Sequence, residues 1–544
     1  MSLKGKLMRQ TSLILIILFL AFVGACGGSN TGVEGAVPGE KVLHYGSGSD
    51  PKTIDPNKQS LVLEGYIMYS LFEGLVTYDR AGSIIPGQAE SWEISEDGLT
   101  YIFKLKEGLI WSDGQPVTAE DFAFSMRRLL NPMTAAELAF SLYAIKNAEA
   151  IIGGKLQPEE LGVTVADART LVIELDKPQP ALLASLASVQ GLPVPKHVVE
   201  QYGSAWIKAE HIVSNGAYLF RNWQVGNRLE IERNPLFRDT ASVAIDRVFF
   251  YPTADDEAAL RRIRAGELHI QRSFPMAKAT WLRENMPEYL HTAPWVGSYF
   301  YILNVQRPPL DDVRVRRALN MLIDRDSIVR LILQDLGWEA AYSMVPSTLR
   351  GWEIPAAPEW ASWSREQRVE AAKALIAEAG FGPENPIELN LSYNTDESHK
   401  RIAIAISKMW EAVGIVTTLE NFEFRVHTDN VNQGNFDVAR RGWIGIDGMP
   451  EFFLGMFETQ NLSLNSGRWS SAAFDAALSD ALNLSDPEAR NAQFLKAEKI
   501  LQDELPLLPI YFYISRNLVS PRVTGWIDNP MDAHRIRWLD LMDE

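Results

Sequence analysis

Signals for strands and helices alternate along this chain, and that alternation limits the folds open to it more than any other feature. From Leu99 to Leu105 apolar residues recur at every second position, the pattern of a strand with one buried face. Thr118 then begins a helical pattern that Pro132 ends, with Asp121 placed as in a capping box. The order predicts an α/β fold in which helices cover a sheet.

The same order returns further along the chain. Ser364 and Gln367 form a second capping-box pattern, and the helix that they begin is predicted to end at Gly380. A strand at 387–393, a helix at 399–413 and a strand at 415–420 are predicted to follow. In sheets covered by helices, ligands bind on loops beyond the strand ends.

One stretch has the character of such a loop. It reads VARRGWIGIDGMPEFF, Val438 to Phe453. Phe436–Ala439 is predicted to be a strand, and the glycine-rich segment GWIGIDGMP that follows is predicted to be a loop at its carboxyl end. Taken alone, Asp447 can be a catalytic acid, a metal ligand, a turn former or the counter-charge of a cationic ligand.

Size and charge exclude several classes of protein. The chain has 544 residues, enough for two or three lobes with buried cores. Its 46% apolar and 10% aromatic residues argue against a disordered protein. The net charge of −17 repels phosphate backbones, so nucleic acid is not expected as a partner.

The N-terminus predicts export. Three cations in the first nine residues precede an unbroken apolar run, Leu13 to Ala25, which ends at Cys26. The run is shorter than the roughly 20 residues of a membrane-spanning helix, so it predicts a cleaved signal peptide. Val-Gly-Ala before Cys26 resembles the lipobox of bacterial lipoproteins, which implies lipidation of Cys26; the alternative is a plain signal peptide that happens to contain a cysteine.

The residues after the signal are typical of a tether. Gly, Ser and Pro dominate up to residue 40, without apolar periodicity, and the folded body is predicted to begin near Lys41. Cys26 is the only cysteine of the chain. Disulfides, cysteine zinc sites and thiol nucleophiles are therefore excluded from the body.

The body lacks the sequence patterns of common catalytic sites. It contains no G-x-S-x-G elbow, no H-E-x-x-H, no Walker glycine loop and no G-x-G-x-x-G after a strand. None of its eight histidines stands four residues from another. The sequence therefore predicts a protein that is not an enzyme and that binds no metal or cofactor.

Several long segments stand in an order that belongs to one family. They are LFEGLVTYDR (71–80), the segment 86–129, SNGAYLF (214–220), IERNPLF (231–237) and NVQRPPLDDVRVRRALNMLIDRD (304–326). Together they resemble the oligopeptide- and dipeptide-binding proteins of bacterial ABC importers, roughly from Val42 to Leu541. The resemblance implies an α/β fold of the periplasmic-binding-protein type, a two-lobed clamshell with mixed sheets and an inserted small domain.

The resemblance also implies how the chain is divided. The implied parts are a lipoprotein signal peptide (1–25), the lipidated cysteine with its tether (26–40), a first part of lobe I (41–62), an inserted domain II (63–190), a second part of lobe I (191–295), lobe II or domain III (296–512) and a C-terminal part of lobe I (513–544).

The implied function is that of a receptor. A monomer in the periplasm or at the cell surface, anchored to the membrane through Cys26, is expected to capture oligopeptides and deliver them to an ABC permease with cytoplasmic ATPase subunits. Peptide held like an added strand is bound through main-chain groups, whatever its sequence. Alternatives are the same fold with a sugar, an opine or a modified peptide as ligand, a secreted peptide hydrolase, and a non-transporting sensor.

The family's peptide site falls on the glycine-rich segment. Its F-D-V-A-R and G-W motifs are 436–440 and Gly442-Trp443 here. A nearby aspartate pairs with the peptide's α-ammonium in the family, which implies that role for Asp447. The family usually places this aspartate three residues after the tryptophan, where this chain has Ile446, so Asp447 either binds the ammonium or shapes a turn.

The other implied contacts lie on both sides of the cleft. Val431 stands where an oligopeptide binder can carry a further arginine, so capture of a carboxylate rests on Arg440 or Arg441; Arg440 can instead be a structural ion pair. Trp443, Ile444 and Gly445 are expected to form one wall. The segment 46–56 is expected to line the other with Ser47 and Asp50, and for Asp50 a solvated turn is the alternative.

Overall fold

The computed structural model describes residues 39–542 except 180, 350, 446–448, 463 and 485. The predicted signal peptide and Cys26 lie outside the described residues, as does Asp447. The described residues form the mixed α/β structure that the sequence predicts.

Strands of the described residues form one large sheet and three small ones. They are β1 (Val42–Gly46), β2 (Val76–Tyr78), β3 (Ile84–Pro86), β4 (Ala89–Ile94), β5 (Thr100–Leu105), β6 (Val163–Asp167), β7 (Thr170–Glu174), β8 (Tyr218–Gln224), β9 (Arg228–Arg233), β10 (Arg247–Tyr251), β11 (Ile270–Arg272), β12 (Leu290–Leu303), β13 (Glu339–Ala340), β14 (Glu388–Asn394), β15 (Val416–Phe422), β16 (Val438–Ile444), β17 (Leu507–Val519), β18 (Val523–Thr524) and β19 (Asp540–Leu541).

Helices connect and cover these strands. They are α1 (Val62–Leu71), α2 (Ala119–Leu130), α3 (Ala148–Ile152), α4 (Leu182–Ala187), α5 (Lys196–Tyr202), α6 (Asp256–Arg264), α7 (Ala279–Asn285), α8 (Val313–Leu322), α9 (Arg325–Ser327), α10 (Arg365–Glu378), α11 (Glu397–Trp410), α12 (Phe424–Gln433), α13 (Pro450–Leu454), α14 (Ala472–Leu482) and α15 (Pro487–Glu504).

The large sheet runs β15-β14-β16-β12-β17-β11-β1-β10-β9-β8, with β13 beside β17. Its two longest strands, β12 and β17, pair antiparallel with each other and join its halves. On one side β12 pairs with β16, and on the other β17 pairs with β11. The halves thus come from distant parts of the chain, and the space beside β17 is where they meet.

Buried apolar side chains gather in three clusters. One draws on residues 43–270 together with 519–541, and the other two lie within 260–518 and 296–507. The two ends of the chain therefore share one core and its middle forms the others, because β17 pairs with β11 and so returns the chain to the N-terminal strands. The division into domains stays a prediction.

Local signals placed several elements correctly. Thr118 caps α2, with its amide donating to Asp121 Oδ2 at 2.9 Å, and Ser364 caps α10 with its amide donating to Gln367 Oε1 at 2.9 Å. Gly414 has the positive φ of +83° expected after a helix. These predictions are confirmed.

The predicted end of the strand before the glycine-rich segment was wrong. We expected it to end at Ala439, whereas β16 continues to Ile444 and pairs with β12 from Leu303 to Gly297. Arg440 and Trp443 are therefore strand residues. A glycine is tolerated inside a strand where a neighbouring group approaches the backbone closely, and Gly442 meets that condition.

Candidate ligand-binding cleft

A cavity of about 500 Å³ lies where the halves of the large sheet meet. One wall comes from the N-terminal half, through Ser47, Tyr66 on α1 and Arg272 at the end of β11. The opposite wall comes from the start of α11 and from β17. A group bound in this main cavity touches both halves at once.

Tyr511 and Tyr513 of β17 form the floor of this cavity, and Tyr299 of β12 packs against both of them. The Tyr299 ring is stacked on Tyr511 with 4.6 Å between ring centroids, and both side chains are buried. Tyr513 stands at a right angle to Tyr511, 5.5 Å away, and lines the cavity. Aromatic rings offer broad apolar contact with a hydroxyl at the edge, which suits a site for varied ligands.

Arg440 lies behind this floor without a carboxylate partner in the described part of the chain. Its guanidinium sits over the Tyr299 ring, 4.7 Å from the centroid. Nη2 donates to Tyr513 Oη at 2.6 Å and Nη1 to Asn394 Oδ1 at 3.2 Å. The ion pair expected as the alternative role of Arg440 is not seen among these residues. Its positive charge is held by neutral partners, one of which, Tyr513, lines the cavity, whereas Arg440 itself is not among the lining residues.

Gly442 makes this arrangement possible. A Cβ atom built at Gly442 would lie 2.5 Å from Tyr513 Oη and 3.1 Å from Arg440 Nη2. Only a residue without a side chain lets the hydroxyl and the guanidinium meet over the strand.

Arg441 points to the opposite face of β16, as alternation along a strand requires. Its Nη1 donates to the Leu464 carbonyl at 2.9 Å and to Ser466 Oγ at 3.1 Å. Burial lowers the pKa of Arg441 to about 10, which still leaves it charged near neutral pH. These contacts tie β16 to the loop before α14.

Trp443 belongs to an aromatic cluster that bridges distant parts of the chain. Its ring is stacked on Phe452, with centroids 5.3 Å apart, and on Phe140, 6.5 Å away. Its Nε1 donates to the Phe452 carbonyl at 2.9 Å. Phe140 belongs to the segment predicted as domain II, so this cluster joins that segment to the half of the molecule that carries β16.

A second cavity, about 100 Å³, adjoins the first. Ile444 and Gly445 line it, together with Trp295 of β12. The Gly445 amide donates to the Val296 carbonyl at 2.8 Å, and a Cβ at Gly445 would come within 2.7 Å of Val296 Cγ1. The structure thus brings Ile444 and Gly445 to the cleft. We call this space the side cavity.

Ser47 and Asp50 are placed differently. Ser47 lines the main cavity, and its Oγ donates to the Tyr251 carbonyl at 3.0 Å. Asp50 Oδ2 accepts from the Gly226 amide at 2.6 Å, in the turn between β8 and β9, and Asp50 Oδ1 accepts from Trp223 Nε1 at 3.3 Å. Asp50 is not among the residues lining either cavity.

A buried carboxylate shapes the chain between Ser47 and α1. Glu64 is fully buried; its Oε1 accepts from the amides of Lys52 (2.7 Å) and Thr53 (3.2 Å). Its Oε2 accepts from the amides of Ser60 and Leu61, both at 2.9 Å. Four amide donors compensate the buried charge. They also fix the loop that carries Val62 to the edge of both cavities.

The start of α11 brings two polar groups to the main cavity. Asp396 caps the helix, and its Oδ1 accepts from the His399 amide at 3.0 Å. The His399 ring lies 5.4 Å from Tyr299. Burial, with the nearby positive charge of Arg440, lowers the pKa of His399 to about 2, so this imidazole is neutral at physiological pH.

Sequence reasoning missed several cavity residues. They are Arg272, Trp295, Asp396, His399, Tyr513, Arg516 and Arg535. One of them carried a visible signal, because Arg516 interrupts the apolar strand LLPIYFYISRNLV. A charged residue within a strand of that composition marks a place where the strand faces a polar space. The other six residues come to the cleft only because strands far apart in the sequence pair in the large sheet, and their own neighbours in the sequence gave no sign of this.

The described residues offer no sign of two other kinds of site. No group of three or more His, Cys, Asp or Glu side chains is arranged to hold a metal ion among them. Within the same residues, no helix combines the length and the apolar character needed to cross a membrane.

Comparison with known proteins shows the family to which this chain belongs. The family described as "Bacterial extracellular solute-binding proteins, family 5 Middle" matches residues 83–463. The chain is 37% identical over 498 residues to the periplasmic oligopeptide-binding protein OppA of Escherichia coli (strain K12), a match that covers 91% of each chain.

Solved structures of the same kind superpose on this chain. The murein tripeptide binding protein MppA of Escherichia coli is 36% identical, with a TM-score of 0.85 over 93% of this chain and 99% of that one. The complex of Haemophilus influenzae OppA with the peptide RPPGFSPFR is 34% identical, with a TM-score of 0.84 over the same shares.

Proposed function

Since this chain belongs to family 5 of the bacterial extracellular solute-binding proteins, we propose that it is the oligopeptide receptor of an ABC importer. One observation carries the proposal: a cavity of about 500 Å³ lies between two halves of a sheet that β12 and β17 join, and it is lined from both. Ligand that contacts both halves favours the closed arrangement, and closure is the state that a permease can recognise.

Two charged groups of the peptide have separate proposed partners. Asp447 is proposed to pair with the α-ammonium, and Arg440 with a carboxylate of the peptide. Arg440 supports this role because its guanidinium has only neutral partners in the described residues. A charge-assisted hydrogen bond contributes roughly 1.5 to 3 kcal/mol, enough to fix the direction of a peptide.

The remaining predicted contacts divide into two groups. Ser47, Ile444 and Gly445 border the cavities and are proposed to face the peptide, with Trp443 stabilising the wall behind them. The contacts of Arg441 with Leu464 and Ser466 favour a structural role for it. For Asp50, the bond to Gly226 favours the turn.

Anchoring and location are part of the proposal. The predicted lipid on Cys26 would hold a monomeric receptor at the membrane surface, outside the cytoplasm. The tether of about fifteen residues gives the body some 20 Å of reach as a flexible chain. The protein is proposed to bind its ligand without catalysing a reaction, in keeping with the solute-binding family to which it belongs.

A second candidate ligand is a peptide with a modified terminus. Ile446 at the position where the family usually has its aspartate favours this candidate, because the ammonium contact is then weaker or absent. The two candidates differ in whether a free amine matters for binding.

Calorimetric titration of the body from residue 27 with paired peptides tests the proposal. Each peptide is used with a free and with an acetylated N-terminus. Asp447→Asn is expected to weaken the free-amine peptide roughly tenfold or more while changing the acetylated one little. Asp50→Asn is the matched control and should change neither. Equal losses of affinity for the free-amine and the acetylated peptide would refute the ammonium role of Asp447. Mass spectrometry of ligands released from the denatured protein is a second test, and ligands without peptide bonds would refute the proposal of a peptide receptor.

A further inference from the structure

The side cavity is a separate arm of the cleft. It shares Val62, Tyr66, Trp295 and Asp532 with the main cavity, so a ligand in the main cavity can extend a side group into it. Most of its surface is aromatic or apolar. One cation, Arg535, also lines it.

Arg535 is buried and lacks a carboxylate partner in the described part of the chain. Its side chain belongs to a residue only 7% exposed, and its guanidinium lies over the Tyr69 ring, 3.3 Å from the centroid. The Nε and Nη2 atoms are both buried and have no hydrogen-bond acceptor among the described residues. Burial lowers the pKa of Arg535 but an arginine remains charged at neutral pH.

Nearby carboxylates are already engaged by other donors. Asp532, which lines the same cavity, accepts from Arg272, from Asn517 Nδ2 at 3.1 Å and from His534 Nε2 at 2.9 Å. Glu73 is also occupied. Its carboxylate accepts from Arg238 Nη2 at 2.9 Å, Gln88 Nε2 at 2.7 Å and Arg537 Nη1.

The polar amides of the cavity are also satisfied by one another. Gln190 Nε2 donates to Gln59 Oε1 at 2.7 Å, and Gln59 Nε2 donates to the Leu61 carbonyl at 2.7 Å. Ser188 Oγ lies 3.0 Å from Gln190 Oε1. Arg535 is therefore a buried cation of this lining with two donors that no described residue accepts.

A buried guanidinium without a counter-charge destabilises the protein, and the penalty is removed when an anion binds to it. We propose that the side cavity receives a carboxylate of the bound ligand on Arg535, so that the receptor prefers ligands with an acidic group at the position over this cavity. This inference rests on the proposed peptide-receptor function and specifies its substrate class. The carboxylate can come from a Glu or Asp side chain or from the peptide's C-terminus.

Tetrapeptides of alanine with one Glu, or one Gln, at each position in turn distinguish these sources. They are titrated calorimetrically into the anchor-free protein, each as a free acid and as an amide. If the carboxylate is a side chain, we expect one position at which the Glu peptide binds roughly tenfold to a hundredfold more tightly than the Gln peptide. If it is the C-terminus, we expect the amide to bind more weakly than the free acid by the same factor. In Arg535→Gln this difference in affinity should disappear. The peptide that bound more weakly to the wild-type protein, the Gln peptide or the amide, should still bind.

A matched variant, Arg516→Gln, removes a cation from the main cavity and should leave the ratio unchanged. If the preference follows Arg516, or if the wild-type protein binds all peptides alike, the proposal for Arg535 is overturned while peptide binding stands. If no peptide binds, the proposed function fails and this inference falls with it. Should Arg535→Gln bind neither peptide of the pair, Arg535→Lys decides, because retained charge should retain the preference; its loss counts against the proposal.

Discussion

Substitution of Gly442 by alanine tests whether the Arg440–Tyr513 contact organises the cleft. The new Cβ would lie 2.5 Å from Tyr513 Oη, about 0.9 Å inside the 3.4 Å at which ordinary van der Waals contact begins. Tyr513 must move, and its 2.6 Å hydrogen bond to Arg440 then breaks or lengthens. The Tyr513 ring is half-buried and lines the main cavity, and moving it disturbs its contacts with the rings of Tyr299 and Tyr511.

The size of the effect follows from two costs that overlap. Overpacking by one methyl group costs about 1 to 3 kcal/mol. Loss of a hydrogen bond to a charged group costs about 1.5 to 3 kcal/mol. Since movement of the ring relieves the first by incurring the second, we expect the free energy of unfolding to fall by about 2 to 3 kcal/mol. Peptide affinity should fall roughly tenfold or more, because Arg440 loses its fixed position.

Chemical denaturation measures the first quantity and calorimetric titration the second. Gly455→Ala is the control, because a Cβ at Gly455 meets no atom within 4 Å. Adding Tyr513→Phe to Gly442→Ala removes the hydroxyl that clashes, so the double variant should regain part of the lost stability, as measured by a double-mutant cycle. If Gly442→Ala matches Gly455→Ala in stability and affinity, the contact does not organise the cleft.

Two further predictions concern buried charges outside the cleft. Arg128 donates two hydrogen bonds to the buried Asp55 carboxylate, at 2.8 and 2.6 Å, and Arg128→Met leaves that carboxylate without its cationic partner. The free energy of unfolding, measured by denaturant titration, should fall by about 3 to 5 kcal/mol. Lys408→Met, which removes one partner of an exposed ion pair, is the control and should cost about 0.5 kcal/mol. Burial raises the pKa of Glu451 to about 7. In the unfolded chain this carboxyl loses its proton at lower pH than in the folded protein, so its contribution to the free energy of unfolding declines from about pH 5 to about pH 7. Glu451→Gln should therefore remove up to about 1.4 kcal/mol of that decline per pH unit. The exposed Glu366→Gln is the control and should leave the slope unchanged; an unchanged slope in Glu451→Gln would contradict the prediction.

The sequence determined those features that depend on neighbours along the chain. Thr118 with Asp121 and Ser364 with Gln367 begin helices because a cap needs only a side chain and amides three residues away. Gly414 ends a helix because its own φ is positive. The alternation of strands and helices indicated the α/β class for the same reason. Long family motifs indicated the family without any knowledge of the tertiary structure.

Pairing between distant strands decided the site. The extent of β16 could not be predicted from its own residues, because Arg440 to Ile444 are extended by their bonds to β12, some 140 residues earlier in the chain. Arg440 has Asn394 and Tyr513 as partners only because β16 lies beside β14 and one strand away from β17 in the same sheet. Arg535 follows the last long strand in sequence, yet it borders a cavity formed by α1 and β12.

The physical reason is the range of the interactions. A helix cap or a strand period is set by groups a few residues apart, so the chain carries that information locally. The charge state of a buried group and the shape of a cavity depend on every element that packs around it. For this protein, the sequence by itself determined the elements and the family, and the tertiary structure alone decided which charges face the cleft and which are already paired.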